Sequence, residues 1–347
     1  MAAKKTAAPD EGLKQLKQDL KQGSPARCYV FYGPEDYLRE HYLDQLRKKL
    51  LTGGMETFNH HRFSGKELDV QALSEAVDAL PMMSERTLVE VWDCDLYKNE
   101  QRREALLSLV SDLPEWVCLV FVYDQLEYKS GGNTKLGKLM KKQAVTVHFQ
   151  PQTQSDLNAW IRRRFKAHGK DIGNDLAEYL CFLCGGLMTG LSGEIDKIAF
   201  YASGSSITRA DIDACADPVL DARVFEMTDA IAQRDFRRAA KVLSELFLMN
   251  TEPIMILAVL GRQVRQLWSA RLLMENRQGQ SDLAVLWEMK SPWQARRLMD
   301  NARRFDLPWC RRAVVLCAQA DLDMKSTGLN SRELLTDLLL KLAVKEA

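Results

Sequence analysis

The chain contains no hydrophobic run long enough to cross a bilayer. Its longest apolar stretch, residues 116–123, falls far short of the roughly 20 residues that a membrane-spanning helix requires. Residues 1–12 have no apolar segment of the kind found in a secretory signal peptide. Net charge is also nearly absent, at +1. We therefore expect a cytoplasmic protein that makes no contact with membranes.

Catalytic and metal-binding patterns are lacking as well. The chain has five histidines, and none lies beside a nucleophile in a glycine-flanked turn. Cys181 and Cys184 form a single C-x-x-C pair, without the second pair or the histidines that would complete a zinc site. The eight cysteines lie mostly in apolar patterns, which is typical of buried, reduced thiols. We expect no catalytic residues, no metal and no cofactor.

Five apolar strand patterns alternate with helical patterns in the first 150 residues. The predicted strands are 28–32, 58–63, 87–92, 116–123 and 144–149. This alternation predicts a parallel sheet of the nucleotide-binding type, and the unbroken apolar run in the fourth strand predicts burial on both faces. From residue 155 onward the apolar periodicity is helical throughout. The predicted fold class is therefore α/β plus all-α.

The length of 347 residues exceeds one ordinary core, so two or three domains are expected. We predict an N-terminal tail with a short helix at 1–22 and a sheet domain at 23–150. A small three-helix domain at 151–216 and a larger helical domain at 217–347 are predicted to follow, with their junction near Pro218.

Residues 27–40 lie where a phosphate-binding loop is expected, between the first strand and the helix after it. On the template G-x-x-x-x-G-K-[ST], Gly33 fits the first glycine. Leu38 then replaces the second glycine, Arg39 replaces the lysine, and Glu40 replaces the hydroxyl that binds Mg²⁺. The scaffold of a nucleotide site is present and its ligands are missing. A degenerate P-loop ATPase or nucleotide switch is the alternative, and these three residues argue against it.

Two acidic residues follow the third and fourth predicted strands. Asp93 stands where such a sheet carries the acid that helps to hold Mg²⁺, and Asp124 stands where it carries a polar sensor. Without the lysine and the hydroxyl, neither has an obvious nucleotide to serve.

A proline and two methionines separate the helical pattern at 68–80 from the third strand. The residues concerned are Leu80, Pro81, Met82 and Met83. The pattern alone favours methionines that fill the core, because this side chain adapts to irregular gaps. The other interpretation is an exposed hydrophobic prong that inserts into a pocket on a partner.

Arginine is concentrated near the C-terminal end of the chain. Residues 262–312 contain ten arginines and one lysine against five acids, with four tryptophans interleaved. Contact with a nucleic-acid backbone is one interpretation, and a solvated helical face is the other. The tryptophans have helical spacing, which favours core or subunit-interface positions. A basic, helical DNA-binding protein is therefore a further alternative.

Several segments, in a specific order and spacing, resemble the delta subunit of the bacterial DNA polymerase III clamp loader. They are VFYGPEDYL at 30–38, LPMMSERTLV at 80–89, and VFEMTDAI at 224–231. Asp156 with Leu157, Pro253 with Ile254, and Asp321 with Lys325 extend the resemblance over nearly the full length.

The resemblance implies an AAA+-like five-stranded sheet domain without ATPase activity, a small helical lid, and a helical collar that joins a hetero-pentamer. Met82 and Met83, flanked by Leu80 and Pro81, would wedge into a pocket on the ring-shaped sliding clamp. The chain would open that ring for loading onto primed DNA, while ATP bound by partner subunits controls the step. It would have no active site of its own within the DNA polymerase holoenzyme.

Overall fold

A computed structural model describes residues 11–51, 56–289 and 291–344. The first part of the predicted N-terminal tail, residues 1–10, and the predicted helix stop at Gly53 and Gly54 lie outside the described residues. The chain divides into two compact units, Met1–Pro151 and Gln152–Ala347. The division between them falls within one residue of the predicted end of the sheet domain.

The first unit is built on a parallel sheet with strand order β2-β3-β4-β1-β5. Its strands are β1 (Cys28–Tyr32), β2 (His60–Ser64), β3 (Thr87–Trp92), β4 (Val117–Val122) and β5 (Val145–His148). Every residue of β4 is buried, as the unbroken apolar run predicted. β1 lies between β4 and β5, with Val30 paired to Phe121 and to Thr146. The predicted five-stranded parallel sheet is confirmed.

Helices cover both faces of the sheet because successive strand residues point in opposite directions. The helices are α1 (Glu11–Gln22), α2 (Asp36–Leu50), α3 (Glu56–Asn59), α4 (Val70–Asp78), α5 (Glu100–Ser111) and α6 (Lys135–Gln143). Cys28 and Val30 of β1 belong to the core that contains α4, α5 and α6 residues. Tyr29 and Phe31 belong to the core that contains α1 and α2 residues.

The second unit is helical. It contains α7 (Gln154–Ala167), α8 (Asn174–Cys184), α9 (Met188–Tyr201), α10 (Arg209–Cys215), α11 (Leu220–Ala232), α12 (Phe236–Leu248), α13 (Pro253–Glu275), α14 (Gln280–Leu286), α15 (Pro292–Ala302), α16 (Leu307–Ser326) and α17 (Ser331–Ala343). The three predicted lid helices correspond to α7, α8 and α9, and α10 is a short addition. Phe182 of α8 packs on Trp293 of α15, with ring centroids 4.5 Å apart. The separation of lid and collar near residue 216 stays a prediction.

No single helix in the described ranges is long and apolar enough to cross a membrane. The consecutive helices α8 and α9 pass the length and composition test only as a pair, and they are bent by 118° at their break. All eight cysteines are free thiols. Burial raises the pKa of Cys94 to about 11, so this thiol stays protonated at neutral pH.

Candidate functional site

The turn after β1 approaches the end of β5 closely. Gly33 has φ +122°, a backbone conformation that favours glycine. A Cβ atom at this position would lie 2.4 Å from the carbonyl oxygen of Phe149, so no other residue fits without a shift of backbone. The backbone N–H of Glu35 donates to that same oxygen, at 3.1 Å. The loop is therefore tied to the sheet edge where a nucleotide phosphate would enter.

Arg39, at the position of the phosphate-binding lysine, is turned into the protein. Its side chain is only 2% exposed. Nη1 donates to the carbonyl oxygens of Gly33, at 3.1 Å, and Tyr123, at 3.2 Å. The guanidinium also pairs with Asp124, through Nη2, and with Asp36, through Nη1 at 3.0 Å. A cation neutralised by two carboxylates is not available to a phosphate group.

The side chain of Asp93 is also engaged in hydrogen bonds within the protein. Its Oδ1 accepts hydrogen bonds from the backbone N–H groups of Asp124, Gln125 and Leu126, each at 2.9 Å. This carboxylate oxygen therefore organises the loop after β4. Together with the ion pair of Asp124, these contacts give both predicted strand-end acids structural partners.

The other two substituted positions have structural contacts as well. Leu38 packs against the hydrophobic core shared by α1 and α2. Glu40 lies 3.8 Å from Nη1 of Arg47, and burial raises the pKa of its carboxyl above the usual range. Within the described ranges, no group of three or more histidine, cysteine, aspartate or glutamate side chains is arranged to hold a metal.

The residues after α4 form an exposed apolar prong, defined here as Leu80, Pro81, Met82 and Met83. Pro81 disfavours helical backbone at the residue before it, which explains why the helix has ended by Leu80. The exposed fractions are 72% for Leu80, 51% for Met82 and 77% for Met83. Core filling, which the pattern alone favoured, is therefore not the role of these methionines in the structure.

The backbone of the prong is held in place by Asn59, the last residue of α3. The Nδ2 of Asn59 donates to the carbonyl oxygen of Met82, and its Oδ1 accepts from the Met82 N–H, both at 2.8 Å. Asn59 is only 1% exposed. Met83 follows with φ +53°, an uncommon conformation for a non-glycine residue. The two hydrogen bonds from Asn59 thus fix the backbone of Met82 directly before this uncommon conformation.

Two further side chains fasten the segment that leads from the prong to β3. The hydroxyl of Ser84 donates to the carbonyl oxygen of Leu50, at 3.1 Å. Arg86 donates through Nη2 to the carbonyl oxygen of Val117, at 2.7 Å, and through Nη1 to that of Pro25. The prong is a short exposed segment between fixed ends. Sequence reasoning missed Asn59, because no local pattern links it to a residue 23 positions later.

At least four of the ten arginines at 262–312 form ion pairs with acids. Arg262 contacts Asp221, and Nη2 of Arg297 lies 3.0 Å from Oδ1 of Asp229. Half-buried tryptophans, including Trp268 and Trp287, pack against the core of the helical unit. These tryptophans thus lie where the helical spacing predicted.

The parallel sheet and the loop after β1 together define a class of protein. It is an AAA+-like module in which side chains of the chain itself, Arg39 with Asp36 and Asp124, occupy the phosphate loop. Two family models match this chain. Residues 29–150 match "DNA polymerase III, delta subunit", and residues 221–342 match the C-terminal domain of the same subunit. The chain belongs to the DNA polymerase III delta-subunit family.

Individual relatives cover nearly the whole chain. The Bacillus subtilis DNA polymerase III subunit delta is 28% identical over 93% of this chain and 94% of its own length. The Escherichia coli DNA polymerase III subunit delta is 24% identical, covering 90% of each chain. The solved structure of the Bacillus subtilis DNA clamp loader delta protein superposes with a TM-score of 0.52 at 25% identity. That match covers 95% of this chain and 99% of the other.

Proposed function

We propose that this chain binds the ring-shaped sliding clamp and opens it for loading onto primed DNA. The observation that carries the proposal is the prong: adjacent apolar side chains stand exposed on a backbone that a buried asparagine fastens. An exposed apolar group on an ordered loop loses little conformational entropy when it enters a pocket. Other subunits of the clamp loader are its expected partners, in a cytoplasmic hetero-pentamer that also engages DNA.

Opening follows from preferential binding to one shape of the ring. If the prong fits its pocket better when the ring interface is open, binding shifts the ring toward that state by the difference in affinity. No chemical step in this chain is needed. Burial of two methionine side chains contributes about 3–6 kcal/mol before the cost of association. That contribution is a sizeable part of a micromolar to nanomolar interaction.

Arg39, at the lysine position of the phosphate loop, is already paired within the protein, so we expect this chain neither to bind MgATP at micromolar concentrations nor to hydrolyse it. The ion pairs of Arg39 with Asp36 and Asp124 would have to break before a phosphate could enter. Equilibrium dialysis with labelled ATP and a phosphate-release assay measure the two properties. Turnover above the buffer rate, or micromolar binding that requires Mg²⁺, would favour the ATPase alternative.

Asn59→Ala is expected to weaken clamp binding about tenfold, because the prong loop would then have to be ordered on binding. The variant also leaves the Met82 N–H and carbonyl without their partner, so some loss of stability is expected. Affinity should therefore be measured by surface plasmon resonance at a temperature well below unfolding. Asn99→Ala is the matched control, because Asn99 also bonds backbone in this unit, by accepting from the Gln101 N–H at 2.9 Å.

The comparison of the two asparagine variants separates positioning from general stability. The N99A variant should keep the clamp affinity of the unsubstituted chain, even where its thermal midpoint falls. Equal affinities for N59A and the unsubstituted chain would show that the two hydrogen bonds do not present the prong.

A further inference from the structure

The lid helices (α7–α10) and the collar helices (α11–α17) are separate domains in the sequence-based prediction, yet they lie in one compact unit, Gln152–Ala347. Domains joined by a linker are expected to move relative to each other unless an extensive apolar contact holds them together. The linker between α10 and α11 is short, residues 216–219. The contacts made by this linker and by the helices beside it therefore decide whether the lid can bend on the collar.

An aromatic ring of the lid is inserted among collar side chains. Phe182, on α8, packs against the hydrophobic core of the collar helices. Its ring centroid lies 5.1 Å from that of Phe225, on α11, and 4.5 Å from that of Trp293, on α15. The ring of Tyr179, also on α8, lies 5.2 Å from the same tryptophan. Closely packed rings have few alternative arrangements, so this contact resists sliding of α8 on the collar.

The linker itself is fastened to the lid. The backbone N–H of Val219 donates to the carbonyl oxygen of Leu183, on α8, at 2.8 Å. The backbone N–H of Asp217 donates to Oε2 of Glu194 at 3.1 Å, and Nζ of Lys197 donates to Oδ2 of Asp217 at 2.6 Å. A hinge has to absorb changes in φ and ψ, and these hydrogen bonds would have to break before the linker could do so.

We propose that these contacts form a clasp that joins the lid and the collar into one lever. The clasp is defined as the rings of Phe182, Phe225 and Trp293 together with Glu194, Lys197 and Asp217. A displacement of the collar is then carried by the lid to Gln152, where the unit begins, without bending at 216–219. This proposal does not depend on the prong or on clamp binding, because every residue that carries it lies in the second unit.

The test measures single-molecule energy transfer between one dye on the lid and one on the collar of the full chain. The dyes are attached through p-azidophenylalanine in place of Phe200, on the lid, and Val315, on the collar, because both residues are exposed. A second label pair, at Leu248 and Val315, lies wholly within the collar and gives the distribution width of a rigid body. Without any substitution in the clasp, the lid-to-collar distribution should be no wider than this reference.

Opening the clasp should release the lid. Phe182→Ala with Asp217→Ala removes the inserted ring and the carboxylate that binds Lys197, and it should widen the lid-to-collar distribution about twofold. The matched control is Phe305→Ala with Asp300→Ala, which removes a stacked ring and an ion-paired carboxylate from the collar alone. The lid-to-collar distribution of this control should stay as narrow as that of the chain with an intact clasp.

Three results would overturn the proposal. The first is a lid-to-collar distribution wider than the reference while the clasp is intact, because the linker would then already bend. The others are a distribution that stays narrow in the clasp variant and one that widens equally in both double variants. Phe182→Leu with Asp217→Asn is measured in parallel, since it keeps an apolar side chain and a polar group and so removes less from the fold. It should also widen the distribution, by less than the alanine pair, and thermal unfolding of all labelled chains verifies that the folds are intact.

Discussion

Replacement of both Met82 and Met83 by serine is expected to abolish capture of the sliding clamp and to leave the chain folded. The two side chains are 51% and 77% exposed, so their loss removes little from the core. If both are buried in the complex, the loss is about 3–6 kcal/mol, which corresponds to a hundredfold or greater loss of affinity. Pull-down of the clamp and titration by surface plasmon resonance measure the effect.

A matched control exists on the second unit. Leu248 and Met249 are also consecutive, apolar and exposed, at 80% and 63%. Leu248→Ser with Met249→Ser should leave clamp capture unchanged, since these residues lie at the C-terminal end of α12 and not in the segment after α4. If the Met82 and Met83 double variant captured the clamp as well as the unsubstituted chain does, the proposed role of the prong would be wrong. Equal losses in the two double variants would indicate a nonspecific apolar contact.

The second large effect is expected at Glu90, a fully buried carboxylate on β3. It accepts from Nε and Nη2 of Arg47, at 2.7 and 2.8 Å, and from the indole N–H of Trp92, at 3.0 Å. The imidazole Nε2 of His60 lies 2.9 Å from Oε1. Glu90→Gln should lower the free energy of unfolding by about 3 kcal/mol, because the buried charge on β3 would be lost and Arg47 would keep only its more exposed partners, Asp44 and Glu40. Urea denaturation at neutral pH measures this loss.

An exposed pair serves as the control for Glu90. Glu100 lies 3.2 Å from Arg103, and its side chain is 77% exposed. Glu100→Gln should change the free energy of unfolding by no more than about 1 kcal/mol, as is usual for exposed ion pairs. If Glu90→Gln also lowered the free energy of unfolding by no more than about 1 kcal/mol, the structural role assigned to the buried network would be contradicted.

The same network predicts how stability depends on pH. Burial opposes ionisation of Glu90, but hydrogen bonds from His60 and Arg47 outweigh it and lower the pKa to about 2 from an ordinary 4.5. The depressed pKa stabilises the fold above pH 4.5, by about 3 kcal/mol, and the effect is lost as pH falls toward 2. The stability difference between the unsubstituted chain and E90Q should therefore shrink across this window. A difference that stays constant from pH 6 to about pH 2 would contradict this assignment.

Much of the fold follows from local pattern. The predicted β1 at 28–32 and β3 at 87–92 agree with the strands Cys28–Tyr32 and Thr87–Trp92. The second strand was predicted from residue 58, whereas Phe58 belongs to the short helix α3 and is 58% exposed. A four-residue helix is too short to display a periodicity, so the pattern could not distinguish it from the start of a strand.

The identities of Leu38, Arg39 and Glu40 at fixed offsets from Gly33 are enough to predict that the phosphate loop lacks its ligands. This prediction needs no tertiary information, because the spacing of such a loop is local in the chain. The direction of the Arg39 side chain, by contrast, cannot be predicted from local sequence. Its partners include Tyr123 and Asp124, which reach it only because β4 pairs beside β1.

Tertiary structure alone decides whether Met82 and Met83 fill a core or stand in solvent. The composition of the segment is the same in both cases, and burial depends on which elements pack above it. The contacts that settle the matter join residues far apart in sequence, such as Asn59 with Met82 and Ser84 with Leu50. Chain order therefore predicts a phosphate loop without its ligands, while the exposure of the prong arises from long-range packing.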